Sequence, residues 1–151
     1  MNIEECIEQG LLVESKPDLE KAESSVEMAQ HKLEIAETEF KYKLFESAII
    51  SAYASMFHSA RALLFRDGFK ERSHFAVYVY VSEKYSSKIE RKYLSELNFL
   101  RLQRHELMYG LGKHIKLQKS EADTTIKIAN GFLQAIKKIL QEKKRAKENG
   151  S

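Results

Sequence analysis

Residues 101–110 read RLQRHELMYG, a concentration of side chains able to do chemistry. Around them runs an apolar ladder of Tyr93, Leu97, Leu100, Arg104, Leu107 and Leu111. Its steps of four and three follow one face of an α-helix. Arg104 takes a rung where the pattern calls for leucine, and a guanidinium there either needs a partner or lines a site. On the same helix Arg101, His105 and Tyr109 form one i, i+4 row, with Arg104 about one residue's rotation from His105. Arginine holds phosphate with a planar fork and stabilises charge that develops on it. Imidazole moves a proton near neutral pH. Together these groups could grip an RNA backbone and assist attack by its 2′-hydroxyl, which requires no metal. The structural alternative pairs Arg104 with a buried carboxylate, for which Glu46, Glu83 and Glu96 are available.

Other chemistries find little support. The chain has no phosphate-cradling glycine loop, no H-E-x-x-H and no EF-hand loop. The glycines of GLG, 110–112, read as a helix stop. His31, His58, His74, His105 and His114 never pair at i, i+3 or i+4, so no metal site and no cofactor is expected. Cys6 is the sole cysteine, which excludes a disulfide within the chain and argues against a cysteine zinc site. His58 and Arg61, in MFHSARALLF, sit beside an apolar stripe and read as structural or as part of a subunit interface.

The elements that must position these residues are helical. A short helix is expected from Ile3 to about Leu12, passing or ending near Gly10, within an N-terminal segment of residues 1–14. In SKPD, residues 15–18, Ser15 can cap, Pro17 suits a first turn and Asp18 completes a capping-box-like spacing. Leu19, Ala22, Val26, Ala29, Leu33, Ala36 and Phe40 then define a long amphipathic helix. From Leu44 to Phe65 apolar pairs at every turn predict a helix buried on more than one side, stopped at Gly68. Ser73 is a good cap for a helix from His74 to Tyr85. Its HFAVYVYV has strand-like composition, but a lone strand would have no partner. After a loop through SSK, residues 86–88, a helix from about Glu90 to Tyr109 is broken by GLGKH, 110–114. Ser120 and Asp123 then repeat the capping-box spacing before a last helix through Leu140. Residues 142–151 lose every large apolar residue and read as a frayed basic tail. The fold class is all-α: an up-and-down helical bundle of four long helices plus one or two short ones, as a single domain over 1–151.

Composition agrees. With 151 residues, one proline, six glycines and 43% apolar content, the chain suits a helix-rich fold with a real core. Its net charge of +3 hides an asymmetry, because residues 1–40 carry eleven acids and three bases. The remainder is strongly basic, which reads either as solvated helix faces or as a surface for nucleic acid or an acidic partner. No signal peptide and no apolar run of about 20 residues is seen, so a soluble cytoplasmic protein without membrane contact is expected.

The stretch SAYASMFHSARALLFRDGFKERSH, 51–74, followed by RHELMY, 104–109, resembles the HEPN domain family, specifically the branch often paired with minimal nucleotidyltransferases. The resemblance runs from about Ser25 to Leu140. It implies a helical bundle that forms a homodimer, with the arginine motifs of two subunits facing one cleft. Many members are metal-independent endoribonucleases, and many of those are toxins whose antitoxin partner is a minimal nucleotidyltransferase. The active motif is an arginine, a polar residue, a short spacer and a histidine. Carried over, Arg104 matches the arginine and His105 the polar position, but the final histidine is not matched: four residues after Arg104 lead to Tyr109, and the next positions are Gly110 and Leu111. The resemblance thus implies a toxin–antitoxin-like component in which Arg101 and Arg104 bind RNA or a nucleotide, and Arg104, His105 and Tyr109 form the catalytic set. The alternative is a non-catalytic HEPN interaction module that binds a nucleotidyltransferase or a nucleotide.

Overall fold

Each long three-and-four ladder in the sequence becomes a helix. The structure is a computed structural model that describes residues 1–109 and 119–149, apart from the side chains of residues 105, 107–109 and 143–149. In order the elements are α1 (Ile3–Glu8), β1 (Leu12–Glu14), α2 (Leu19–Lys41), α3 (Phe45–Asp67), β2 (Phe69–Glu71), α4 (His74–Lys84), α5 (Arg91–Tyr109) and α6 (Lys119–Asn149). The four long helices make the bundle and α1 and α4 are the short ones, so the all-α expectation holds.

Helix α3 is the central element and packs against α2, α4, α5 and α6. Ala52, Met56, Ala60, Leu63 and Leu64 are fully buried along it. By length and composition α3 could cross a membrane, but most of its apolar face lies inside the protein core. Its partner α2 contributes Ala22, Ala29, Leu33 and Ala36, whose small side chains allow the two helices to approach closely. Leu97 and Leu100 from α5, with Phe132, Leu133 and Ile136 from α6, complete the same apolar cluster. Gly131 lets α5 touch α6, because a Cβ there would lie 2.5 Å from the Tyr93 hydroxyl.

Three local expectations are corrected. The first helix ends at Glu8, before Leu12, because Gly10 turns the chain at φ 73°. The next residues form β1, antiparallel to β2, with Leu12 opposite Glu71 and Glu14 opposite Phe69. Two strands of three residues are too short to display an alternating pattern, so the ribbon is invisible in sequence. The cap of α2 is Asp18, which accepts from the Lys21 N–H at 3.0 Å. Ser15 instead donates its own N–H to the Gly68 carbonyl at 2.8 Å. Ser120 lies inside α6 and does not cap it. The GLGKH break falls outside the described residues.

Gly68 ends α3 in the left-handed region at φ 89°, as read from RDGF. A Cβ there would come within 2.8 Å of the Ser15 carbonyl, so glycine is required both for the turn and for the close approach of the β1–α2 connection. Ser73 caps α4 by accepting from Ala76 N–H at 3.0 Å. Just before Gly68, a buried polar network ties α3 to α4 and α6. Asp67 accepts from Tyr80 Oη at 2.7 Å, from Tyr85 Oη, and from Arg66 Nε at 3.3 Å. Arg66 also donates to Tyr85 Oη at 2.7 Å and to the Ile139 carbonyl at 3.3 Å. Burial works to raise the Asp67 carboxyl, but the two tyrosine hydrogen bonds and the nearby Arg66 and Lys84 charges outweigh it and hold the group below its ordinary range.

Candidate functional site

The α5 ladder enters the core at Leu97 and Leu100, both 2% exposed, and the next rung is Arg104. The same packing that buries the leucines therefore lays the Arg104 side chain against α3. Its guanidinium carbon lies 5.7 Å from the centroid of the Tyr53 ring. One turn back, Arg101 lies 5.1 Å from the Phe75 ring of α4 and donates from Nε and Nη2 to Asn98 Oδ1 at 3.3 and 2.9 Å. Both arginines are half-buried. A guanidinium over an aromatic face is held in place without losing its hydrogen-bond donors. Among the described residues neither arginine forms an ion pair. The carboxylates available for a buried pair are otherwise placed: Glu46 and Glu83 are exposed, and Glu83 accepts the Ile3 N–H at 2.8 Å. Glu96 is half-buried and its carboxyl is raised by that burial.

Beneath the arginines lies a layer of rings. Tyr53, 2% exposed, shares a hydrogen bond of 2.7 Å between its hydroxyl and His74 Nδ1. The His74 ring stacks on Phe57 at a centroid distance of 4.1 Å and 17°. His58 meets the same Phe57 edge-on at 5.6 Å. Burial lowers the His74 pKa to about 4, aided by the positive charges of Arg104 and Arg101 and by His58 and Arg61. Being the first residue of α4, His74 also faces the positive end of a helix dipole. The imidazole is therefore neutral at physiological pH. Burial pushes Tyr53 up to about 12, partly offset by the two arginines, so its hydroxyl keeps its proton. Burial, then the Arg61 and Lys32 charges, likewise lower His58.

Of the residues singled out in sequence, Arg101 and Arg104 come together on one face. His105 and Tyr109 lie on the same helix α5, with side chains outside those described. Arg61 is structural: its Nε pairs with Glu71 at 2.7 Å, and its guanidinium covers Phe65 at 4.8 Å. Tyr53, Phe57, His74 and Phe75 were not visible as site residues, because only the packing of α3, α4 and α5 brings them under the arginines. Among the described residues no three His, Cys, Asp or Glu side chains gather to hold a metal ion. An open groove of about 470 Å³ between α2 and α6, lined by Leu19, Val26 and Leu140 with Glu23, Glu27 and Lys137 at its edge, shares no residue with this cluster.

The fold is an all-α bundle in which α5 lays two arginines against the central helix α3 and against α4, and sequence comparison names its family. The HEPN domain model matches residues 22–140, and the chain belongs to that family. Over 129 residues it is 30% identical to "Putative toxin MJ0605" of Methanocaldococcus jannaschii, covering 82% of this chain and 91% of that protein.

Proposed function

We propose that this chain is the toxin-like HEPN component of a toxin–antitoxin pair, and that Arg101 and Arg104 hold a backbone phosphate of RNA. The observation that carries the reading is a pair of half-buried guanidiniums held over aromatic rings with no carboxylate paired to them among the described residues. A half-buried cation without a counter-charge is costly unless a ligand supplies one. Membership of the HEPN family and similarity to a protein named as a toxin support the biological setting. The partner of this reading is a minimal nucleotidyltransferase acting as antitoxin, and the working form is a homodimer whose two arginine motifs share a cleft.

The chemistry that fits is transesterification without a metal. The 2′-hydroxyl oxygen attacks the adjacent phosphorus, a cyclic phosphate forms and the 5′-oxygen leaves. Negative charge on the non-bridging oxygens falls to Arg104 and Arg101. His105 takes the 2′-hydroxyl proton, Tyr109 donates a hydrogen bond, and solvent protonates the leaving oxygen.

A second reading, an interaction module with no chemistry, is favoured by one feature. Phe99 and Leu102 of α5 are 56% and 55% exposed, one helical turn apart and beside Arg101, as a partner contact would require. An RNA binding and cleavage assay in EDTA, comparing wild type with Arg104→Ala, tests both. Cleavage or binding lost in Arg104→Ala, with helical content intact, supports the first reading. Full activity in the variant removes Arg104 from the site. Binding of the nucleotidyltransferase with no RNA binding at all favours the second.

A further inference from the structure

We propose that His74, held by Tyr53 with its ring proton on Nε2, is the third hydrogen-bond donor of the phosphate site formed by Arg101 and Arg104. This rests on the phosphate-binding reading above and extends it to a residue from a different helix.

The tautomer follows from the hydrogen bond. Tyr53 is 2% exposed, and the 2.7 Å contact with His74 Nδ1 is the hydrogen bond its hydroxyl makes among the described residues. A buried hydroxyl that did not donate would leave its proton unsatisfied, which is costly. The Tyr53 hydroxyl therefore donates and Nδ1 accepts. A neutral imidazole carries one proton, so it must sit on Nε2. His74 is half-buried, and the one hydrogen bond its ring makes among the described residues is at Nδ1. Stacking on Phe57 at 4.1 Å fixes the ring plane.

Every charged group that acts on the ring disfavours its cationic form. From α3 these are Arg61 and His58, with Tyr53 protonated, and from α5 they are Arg104 and Arg101. A cationic imidazole is disfavoured there, so its role is to donate a hydrogen bond without adding charge. That separates it from a general base: the lone pair that would accept a proton is already occupied by Tyr53. Tyr53 is thus a positioning residue, and the donor function does not switch across the physiological pH range.

The test has two readouts on the full chain. The first is the nitrogen chemical shifts of the His74 ring in protein labelled with ¹⁵N-histidine, from pH 5.5 to 7.5. We expect a protonated Nε2 and a pyridine-like Nδ1 throughout, and mixed tautomers in Tyr53→Phe. A proton resident on Nδ1 in the wild type overturns the proposal. The second is the affinity for a short single-stranded RNA in EDTA. His74→Ala should weaken binding roughly tenfold, the scale of one hydrogen bond to a charged group. His74→Gln, whose amide nitrogen can stand near the Nε2 position, should bind within about threefold of wild type. His74→Asn, whose shorter amide cannot reach it, should resemble alanine. The exposed His31→Gln serves as the unchanged control. Equal affinity for the alanine variant and wild type, while Arg104→Ala still weakens binding, sinks the role of His74 alone. If no variant differs because wild type does not bind RNA, the phosphate reading falls and this inference with it.

Discussion

The chain holds two clusters of arginine with tyrosine, at opposite ends of the same logic. Around Asp67 every strong donor is answered: Arg66, Tyr80 and Tyr85 converge on one carboxylate, and Arg66 spends its remaining reach on Tyr85 and the Ile139 carbonyl. Around Tyr53 the cations are held by ring faces and by one asparagine oxygen, and among the described residues no carboxylate pairs with Arg101 or Arg104. The two clusters use the same residue types but differ in charge balance. In the first, the Asp67 side chain is 2% exposed and neutralises its neighbours. In the second, excess positive charge and a neutral imidazole remain at a half-buried surface. A satisfied network stabilises the fold, whereas an unsatisfied one is where a ligand's charge fits.

The sharpest way to break this contrast is to damage each cluster and compare stability with binding. Asp67→Ala should lower the unfolding free energy by about 3–5 kcal/mol, because it strands a buried guanidinium and two hydroxyls. Denaturant melts of the variant check this, and a loss under 1 kcal/mol would make the network incidental. Arg104→Ala should do the reverse. RNA affinity should fall roughly 10- to 100-fold, the scale of a hydrogen-bonded charge, while the melting curve barely moves. Substantial destabilisation by Arg104→Ala would reclassify the second cluster as structural. Tyr85→Phe removes one of the two hydroxyls on Asp67 and should cost about 1 kcal/mol in the same melts.

The last expected effect concerns pH. The His74 pKa is near 4 in the folded chain and near 6.5 when unfolded. As pH falls from about 6.5 toward 4, the unfolded chain takes up a proton that the folded chain does not, so stability declines across that window. His58 is lowered in the same direction and adds to the slope. His74→Gln should flatten the decline, seen in unfolding curves measured at several pH values. An unchanged slope would show that His74 is not held neutral.

These clusters also mark what the sequence could and could not reveal. Helices α2, α3, α5 and α6 were legible because each carries its own three-and-four ladder, a signal internal to the segment. Gly68 and Ser73 were legible because their chemistry is tied to one backbone position. The β1–β2 ribbon was not, since three residues a side carry no period and its register depends on the turn at Gly10. In the candidate site Arg104 was visible as a break in an apolar ladder. Its companions were not: Tyr53 and His74 are 21 residues apart, and Tyr53 reads as an ordinary core aromatic until its hydroxyl is seen to meet an imidazole. The notion that Arg104 joins a buried ion pair was equally consistent with the ladder, and it took the placement of Glu46, Glu83 and Glu96 to separate the two.

The central claim is that Arg101 and Arg104 neutralise phosphate charge. It is tested most directly by the salt dependence of binding to a short single-stranded RNA, wild type against the Arg101→Ala/Arg104→Ala double variant. Each phosphate contact on a single strand contributes about 0.7 to the slope of log K against log salt. Because the two arginines share one phosphate, the account predicts a slope shallower by about 0.7 in the double variant, with helical content unchanged. An identical slope in the two proteins would mean that neither arginine meets a phosphate, and would contradict the account.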